Sequence, residues 1–183
     1  MKKLLIGTLE TIENELLNFL LSDKKSTAQV TASVSSIRIS NVQRGIYLEC
    51  MKNPLSTSYN IPFIYNFESD TDVAKLADAV KKIIAAHPSI NVHFELRDDE
   101  IMQVTNKTTA IEIPVRTINE KDFAAFKNNF VRPFKLDAEP LYRFEIVKTP
   151  ARVSLFVDFH HLIFDGASMN LFMSNLKTLL EGR

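Results

Sequence analysis

The sequence predicts an α+β fold, a mixed β-sheet packed against helices. Helical and extended patterns alternate along the chain instead of collecting into blocks, which excludes a bundle and an all-helical fold. Hydrophobic residues make up 45% of the 183, enough to build a core without disulfides or metals. Prolines fall inside two of the extended stretches, marking edge or irregular strands.

The first twenty residues place Leu5, Leu9, Ile12, Leu16, Phe19 and Leu20 at spacings of three and four, one apolar stripe on a helix. Met1-Lys2-Lys3 followed by Leu4-Leu5-Ile6 begins like a signal peptide, but Glu10, Glu13 and Glu15 interrupt the run well short of the ~18 apolar residues that span a bilayer. From Ser22 to Ser36 the composition turns polar and reads as a linker. The expected organisation is therefore an amphipathic helix with its linker at 1–36 and a folded lobe at 37–183. The helix either packs on its own lobe, closes a preceding domain, or docks between subunits.

Within the lobe, Asn41 to Lys52 reads as a helix whose inner face carries Val42, Ile46 and Tyr47, with Pro54 beyond its end. Ile61, Phe63, Tyr65 and Phe67 alternate as a strand. Val73, Leu76, Val80, Ile83 and Ile84 recur at helical spacing, with Asp70 or Thr71 as cap and Pro88 past the end. Val92 to Leu96 and Ile101 to Val104 flank Asp98-Asp99-Glu100 as a hairpin with a long loop that needs no glycine. Ile111, Ile113 and Val115 predict a strand. Phe123, Phe126 and Phe130 predict a helix that stops before Pro133. Strands from Leu141 to Lys148 and from Arg152 to Phe159 follow, and a last helix carries Ala167, Leu171 and Leu179-Leu180.

Lys and Arg total 22 and Asp and Glu total 22. No net positive field is available to gather phosphate backbones or anionic lipid, so neither nucleic acid nor membrane is an expected partner. Cys50 is the only cysteine and no Cys/His cluster has metal-ligand spacing, which fits a reducing, cytoplasmic setting. Cys50 itself reads as a buried, inert helix residue.

Chemistry concentrates at one junction. The apolar stretch Val153 to Phe159 delivers His160 and His161, and a short loop leads through Asp165-Gly166 into the last helix. Successive side chains of an extended backbone point to opposite faces, so only one imidazole can face a given cavity and the other is structural. An imidazole titrates near neutrality, the property a general base needs. Asp165 can close the loop on a cation or a backbone amide. Gly166 would allow close backbone approach or a positive φ before the helix. Ser168 is a candidate hydroxyl donor to a developing oxyanion, although first-turn serines more often support the loop or cap. Phe156, Phe159 and Phe164 read as core, and His87 and His93 as packing or surface residues.

The HHxxxDG spacing at a strand-to-helix junction, together with four other stretches, resembles the amino-terminal half of a nonribosomal peptide synthetase condensation domain, a member of the chloramphenicol acetyltransferase-like superfamily. Ser40, Gln43 and Tyr47 are similar to its opening SxAQxR(L/M)(W/Y) motif, and Tyr59-Asn60-Ile61-Pro62 to its YN-IP segment. His87 and Phe94 match two positions of its RHExLRTxF motif. Arg132-Pro133-Phe134-Lys135-Leu136 with Pro140-Leu141-Tyr142-Arg143 resembles its PFDL and PLxR stretch. Gly45 and Asn91 depart from the pattern at positions usually held by arginine, so Asp165 is expected to lack its customary ion-pair partner.

The resemblance implies amide formation between an acyl or peptidyl thioester and an amine, each arriving on the 4'-phosphopantetheine arm of a partner carrier protein domain. It implies no metal and no cofactor bound directly. His161 would be central, with His160, Asp165 and Gly166 holding the loop. A second lobe of the condensation domain would complete the site, leaving the isolated lobe inactive. Two alternatives remain open from sequence: a self-contained trimeric acetyltransferase of the chloramphenicol or dihydrolipoamide acyltransferase type, and a non-catalytic interaction module.

Overall fold

The stretch Val153–His160 folds into strand β7, in which all eight residues are buried. A strand covered on both faces needs neighbours on both edges. β2 (Asn60–Phe67) and β6 (Tyr142–Lys148) flank it, both antiparallel, with Asn60 opposite His160 and Tyr142 opposite Phe159. β5 (Val115–Thr117) joins β6 in parallel and completes a four-stranded sheet of order β2-β7-β6-β5. The computed structural model describes residues 36–106, 111–138 and 140–182. The amphipathic helix expected before Ser22 lies outside them.

Alternation along β7 sends two sets of side chains to two layers. Val153, Leu155, Val157 and Phe159 meet α2 (Val73–Ala86) and α4 (Gly166–Leu180) in the largest core, where Leu76, Val80, Ile83, Phe172 and Leu176 also sit. Phe159 lies flat on Phe164 at 3.8 Å and 5°, and meets Phe144 and Phe172 edge-on. On the opposite face Phe156 packs against α3 (Phe123–Phe130) through Phe123, Phe126 and Phe130. Phe156, Phe159 and Phe164 are therefore core, as expected from sequence.

A second sheet of order β1-β4-β3 is built from β1 (Ser36–Arg38), β3 (Val92–Arg97) and β4 (Glu100–Thr105). α1 (Asn41–Lys52) packs with Val92, Phe94, Phe134, Leu136, Leu141 and Leu162 through Tyr47. Phe94 donates its backbone N–H to Leu136 at 2.7 Å, tying this layer to the segment that precedes β6.

Several expectations change in detail. Ser36, expected in the linker, opens strand β1, whose three residues are all exposed and so carry no apolar alternation to read. Val42 points to solvent at 74% exposure, leaving Tyr47 as the buried contact of α1. The cap of α2 is Asp72, whose extended backbone lets its carboxylate accept from the Lys75 N–H at 3.0 Å; Asp70 and Thr71 lie too far upstream. The β3–β4 connection is a two-residue turn with Asp98 at φ 50° and Asp99 at φ 64°, shorter than expected and held in the left-handed region without glycine. The strand expected from Ile111 begins only at Val115. Pro114 has no N–H to extend the ladder, although its carbonyl still accepts from Ile146 at 2.8 Å. Pro62 does lie on an edge strand, as its ring requires.

Candidate functional site

β7 ends at His160, and the chain turns through His161, Leu162 and Ile163 before Asp165 starts α4. This turn is fixed from several sides. His161 donates its backbone N–H to Tyr59 at 2.8 Å, His160 to Leu141 at 2.9 Å, and Ile163 to His160 at 3.0 Å. Gln43 of α1 donates its side-chain amide to the Leu162 carbonyl at 3.1 Å. Gln43 is itself held by a reciprocal cap, its N–H bonding the Ser40 hydroxyl at 3.2 Å and its amide oxygen accepting from the Ser40 N–H at 3.0 Å. The opening motif thus acts as a cap that aims one amide at the two-histidine turn.

The two imidazoles differ in burial. His160 is 4% exposed and follows Phe156 and Asp158 onto the α3 side of the sheet. Its ring meets Phe134 edge-on at 6.0 Å and lines a cavity of about 250 Å3 with Tyr47, Cys50, Asn53 and Asp137. Burial first, and the neighbouring His161 second, lower its pKa to about 4, so the ring is neutral at physiological pH. His161 is exposed at the start of the turn. Of the pair, His160 is the buried imidazole and His161 the exposed one.

Asp165 caps α4. One carboxylate oxygen accepts from both the backbone N–H and the hydroxyl of Ser168, each at 2.8 Å. Those two bonds hold the Asp165 carboxyl below its ordinary range. Asn91, where the family pattern usually has arginine, accepts from Asn106 at 3.3 Å. The Ser168 proton is committed to Asp165, which makes this hydroxyl loop support. Gly166 differs from expectation. Its φ is not positive, and a methyl group there would meet no heavy atom within 4 Å, because it begins a regular helix at an open surface.

A buried ionic cluster lies two residues before His160. Asp158 is fully buried, and its Oδ2 accepts from Arg143 at 2.6 Å and from Asn60 at 2.8 Å. Arg143 also donates to the carbonyls of Arg132 at 2.5 Å and Pro133 at 3.3 Å, and its guanidinium lies over the Phe134 ring at 3.7 Å. Burial raises the Asp158 carboxyl more than its donors lower it. Asn60, Arg143 and Asp158 were not among the candidate site residues. The legible signal was a carboxylate inside an otherwise apolar strand, since such a group must find a donor.

Cys50 is half-buried, not sealed, with Sγ 3.6 Å from His160 Nε2; burial and then Glu49 push its thiol pKa up. Among the described residues no three His, Cys, Asp or Glu side chains gather to hold a metal, and no helix is long and apolar enough to cross a membrane.

Residues 34–182 match the family model of the condensation domain. The chain is 31% identical over 147 residues to Bacitracin synthase 1 of Bacillus licheniformis, covering 80% of this chain and 3% of that protein. It is 32% identical over 146 residues to Tyrocidine synthase 2 of Brevibacillus parabrevis, covering 79% and 4%. With Surfactin synthase subunit 1 of Bacillus subtilis (strain 168) it shares 28% identity over 179 residues, 94% of this chain and 5% of the relative. Among solved structures, the starter condensation domain of rhizomide synthetase RzmA superposes with a TM-score of 0.72 at 22% identity, covering 81% of this chain and 38% of that domain. The first condensation domain of the CDA synthetase gives 0.67 at 16%, covering 82% and 42%. The chain thus spans a few per cent of the curated relatives and about two fifths of the solved domains. The motif turn, the two-sheet fold and the match across residues 34–182 agree: this chain belongs to the condensation domain family.

Proposed function

We propose that the lobe contributes His161 to a site that joins a carrier-bound acyl or peptidyl thioester to the amine of a carrier-bound aminoacyl group. The observation that carries this reading is the division of labour in the histidine pair, one ring buried and neutral, the other exposed on a turn braced by backbone and side-chain bonds. In the reaction the amine nitrogen attacks the thioester carbonyl, the C–N bond forms, and the C–S bond breaks. The amine proton leaves and the departing pantetheine sulfur ends as a thiol. His161 would deprotonate or position the amine and stabilise the tetrahedral species. His160, Asp165, Gly166 and Ser168 would hold the loop.

Both substrates would ride on 4'-phosphopantetheine arms of partner carrier domains, and a second lobe would close the site, in keeping with the 38% share of a solved domain that this chain spans. A variant of the rhizomide starter domain was solved with C8-CoA, an acyl group on a pantetheine thiol. Residues 1–36 would link the lobe to a neighbouring carrier domain or subunit, which the long alignment with Surfactin synthase subunit 1 supports. A cytoplasmic setting follows from the same reading.

The test is His161→Ala in the full synthetase, supplied with loaded carriers. Condensation is expected to fall by roughly 100-fold or more with the fold intact. Wild-type turnover would remove His161 from the chemistry. Coenzyme A acetyltransferase activity by a trimer of this chain would favour the acetyltransferase alternative.

A further inference from the structure

We propose that Arg143 is a positioning residue for the two-histidine turn, acting through Phe134 and the ring of His160. The activity part of this inference rests on the condensation reading above, while the structural part does not.

Arg143 opens β6 beside Asp158 of β7, and its guanidinium fixes three things together. It pairs with the Asp158 carboxylate, ties down the 131–134 segment through the Arg132 and Pro133 carbonyls, and sits over the Phe134 ring. Phe134 in turn meets the His160 ring at 89°. His160 then acts on the turn, because its Nδ1 accepts the Leu162 backbone N–H at 3.2 Å, directly after His161. The same carboxylate oxygen, Oδ2 of Asp158, also accepts from Asn60. Its neighbour Tyr59 receives the His161 N–H. Backbone on both sides of His161 is thus referred back to one buried ion pair, and a guanidinium is the side chain able to bond and stack in this way simultaneously.

A lysine would keep the positive charge that buried Asp158 requires but could neither fork to two carbonyls nor stack on Phe134. Arg143→Lys is therefore the informative variant, and Phe134→Leu, which keeps apolar volume, is the second. The first readout is the 15N resonances of the His160 ring in this chain. Wild type is expected to give one bare Nδ1 and one protonated Nε2, and both variants are expected to draw the two shifts together as the ring loses its fixed tautomer. The second readout is the full synthetase, where kcat is expected to fall roughly 10- to 100-fold with KM for the carrier-bound substrates unchanged, the mark of a misplaced reacting group. Melting curves establish that each variant folds, and if Arg143→Lys does not, Phe134→Leu decides alone. Wild-type ring shifts in a folded variant would overturn the proposal, as would altered shifts with unchanged kcat. Should His161→Ala leave turnover intact, the functional reading falls while the ring shifts still report on Arg143.

Discussion

Leu162 donates its backbone N–H to Nδ1 of His160, and that bond determines what faces Cys50. A nitrogen that accepts carries no proton, so the neutral ring keeps its hydrogen on Nε2, 3.6 Å from the Cys50 sulfur. The sulfur is the acceptor. Burial disfavours the charged ring and the neighbouring His161 adds to that, which is why its pKa falls to about 4.

A pH dependence follows. The unfolded imidazole takes its proton near pH 6.5, whereas the folded one waits until about 4. Between these values the unfolded chain binds more protons, so the contribution of His160 is complete above 6.5 and is lost as pH falls towards 4. The loss amounts to up to about 3 kcal/mol. Asp158 works in the opposite sense over its own range, because burial raises its carboxyl. Urea midpoints of wild type and His160→Gln at pH 7 and pH 5 separate the two. Wild type should lose more stability than the variant on acidification, and parallel losses would show that His160 is not the group responsible.

The β3–β4 turn offers a stabilising change. Asp98 and Asp99 both sit at positive φ, a region where a side chain is strained and Asn-Gly is favoured between antiparallel strands. Asp98→Asn with Asp99→Gly should raise stability by about 1 kcal/mol, read as a higher melting midpoint. An unchanged or lower midpoint would mean that the aspartates hold this turn without strain.

Much of this fold was legible because large apolar side chains recur at helical or strand spacing. The bounds of α1, the helix on Phe123, Phe126 and Phe130, and the extents of β6 and β7 were read from the chain closely. β1 was not legible, since a three-residue strand exposed throughout has no hydrophobic signature. At the site, opposite projection of His160 and His161 follows from strand alternation alone. The surroundings of those rings do not, because Gln43 and Cys50 come from α1, Phe134 from the segment before β6 and Arg143 from β6 itself. Gly166 misled for a related reason: within this lobe nothing approaches it, so its demand for space cannot come from the lobe's own packing.

Asp165 separates capping from charge. Its carboxylate accepts from Ser168 at the start of α4, and asparagine caps nearly as well as aspartate. Asp165→Asn should therefore melt close to wild type at neutral pH, while Asp165→Ala should melt lower. The bonds from Ser168 depress the carboxyl, so its contribution is present above the unfolded carboxylate range and disappears as pH falls through the lower folded value. Asp165→Asn should remove that acid sensitivity. A variant that keeps it would assign the sensitivity to another carboxylate.

Gly166→Ala tests whether the open surface at the helix start is reserved for something outside the lobe. In this chain an added methyl meets nothing within 4 Å and the backbone φ is not positive, so the substitution is unstrained. Alanine also restricts the unfolded chain more than glycine, which favours the folded state by about 0.4–1 kcal/mol. The melting midpoint of the chain is thus expected to hold or rise. In the full synthetase the same methyl tests the open surface from outside: if a partner or substrate covers Gly166 there, condensation should fall although the fold is intact. If turnover survives, the space at Gly166 is not used by anything that condensation requires.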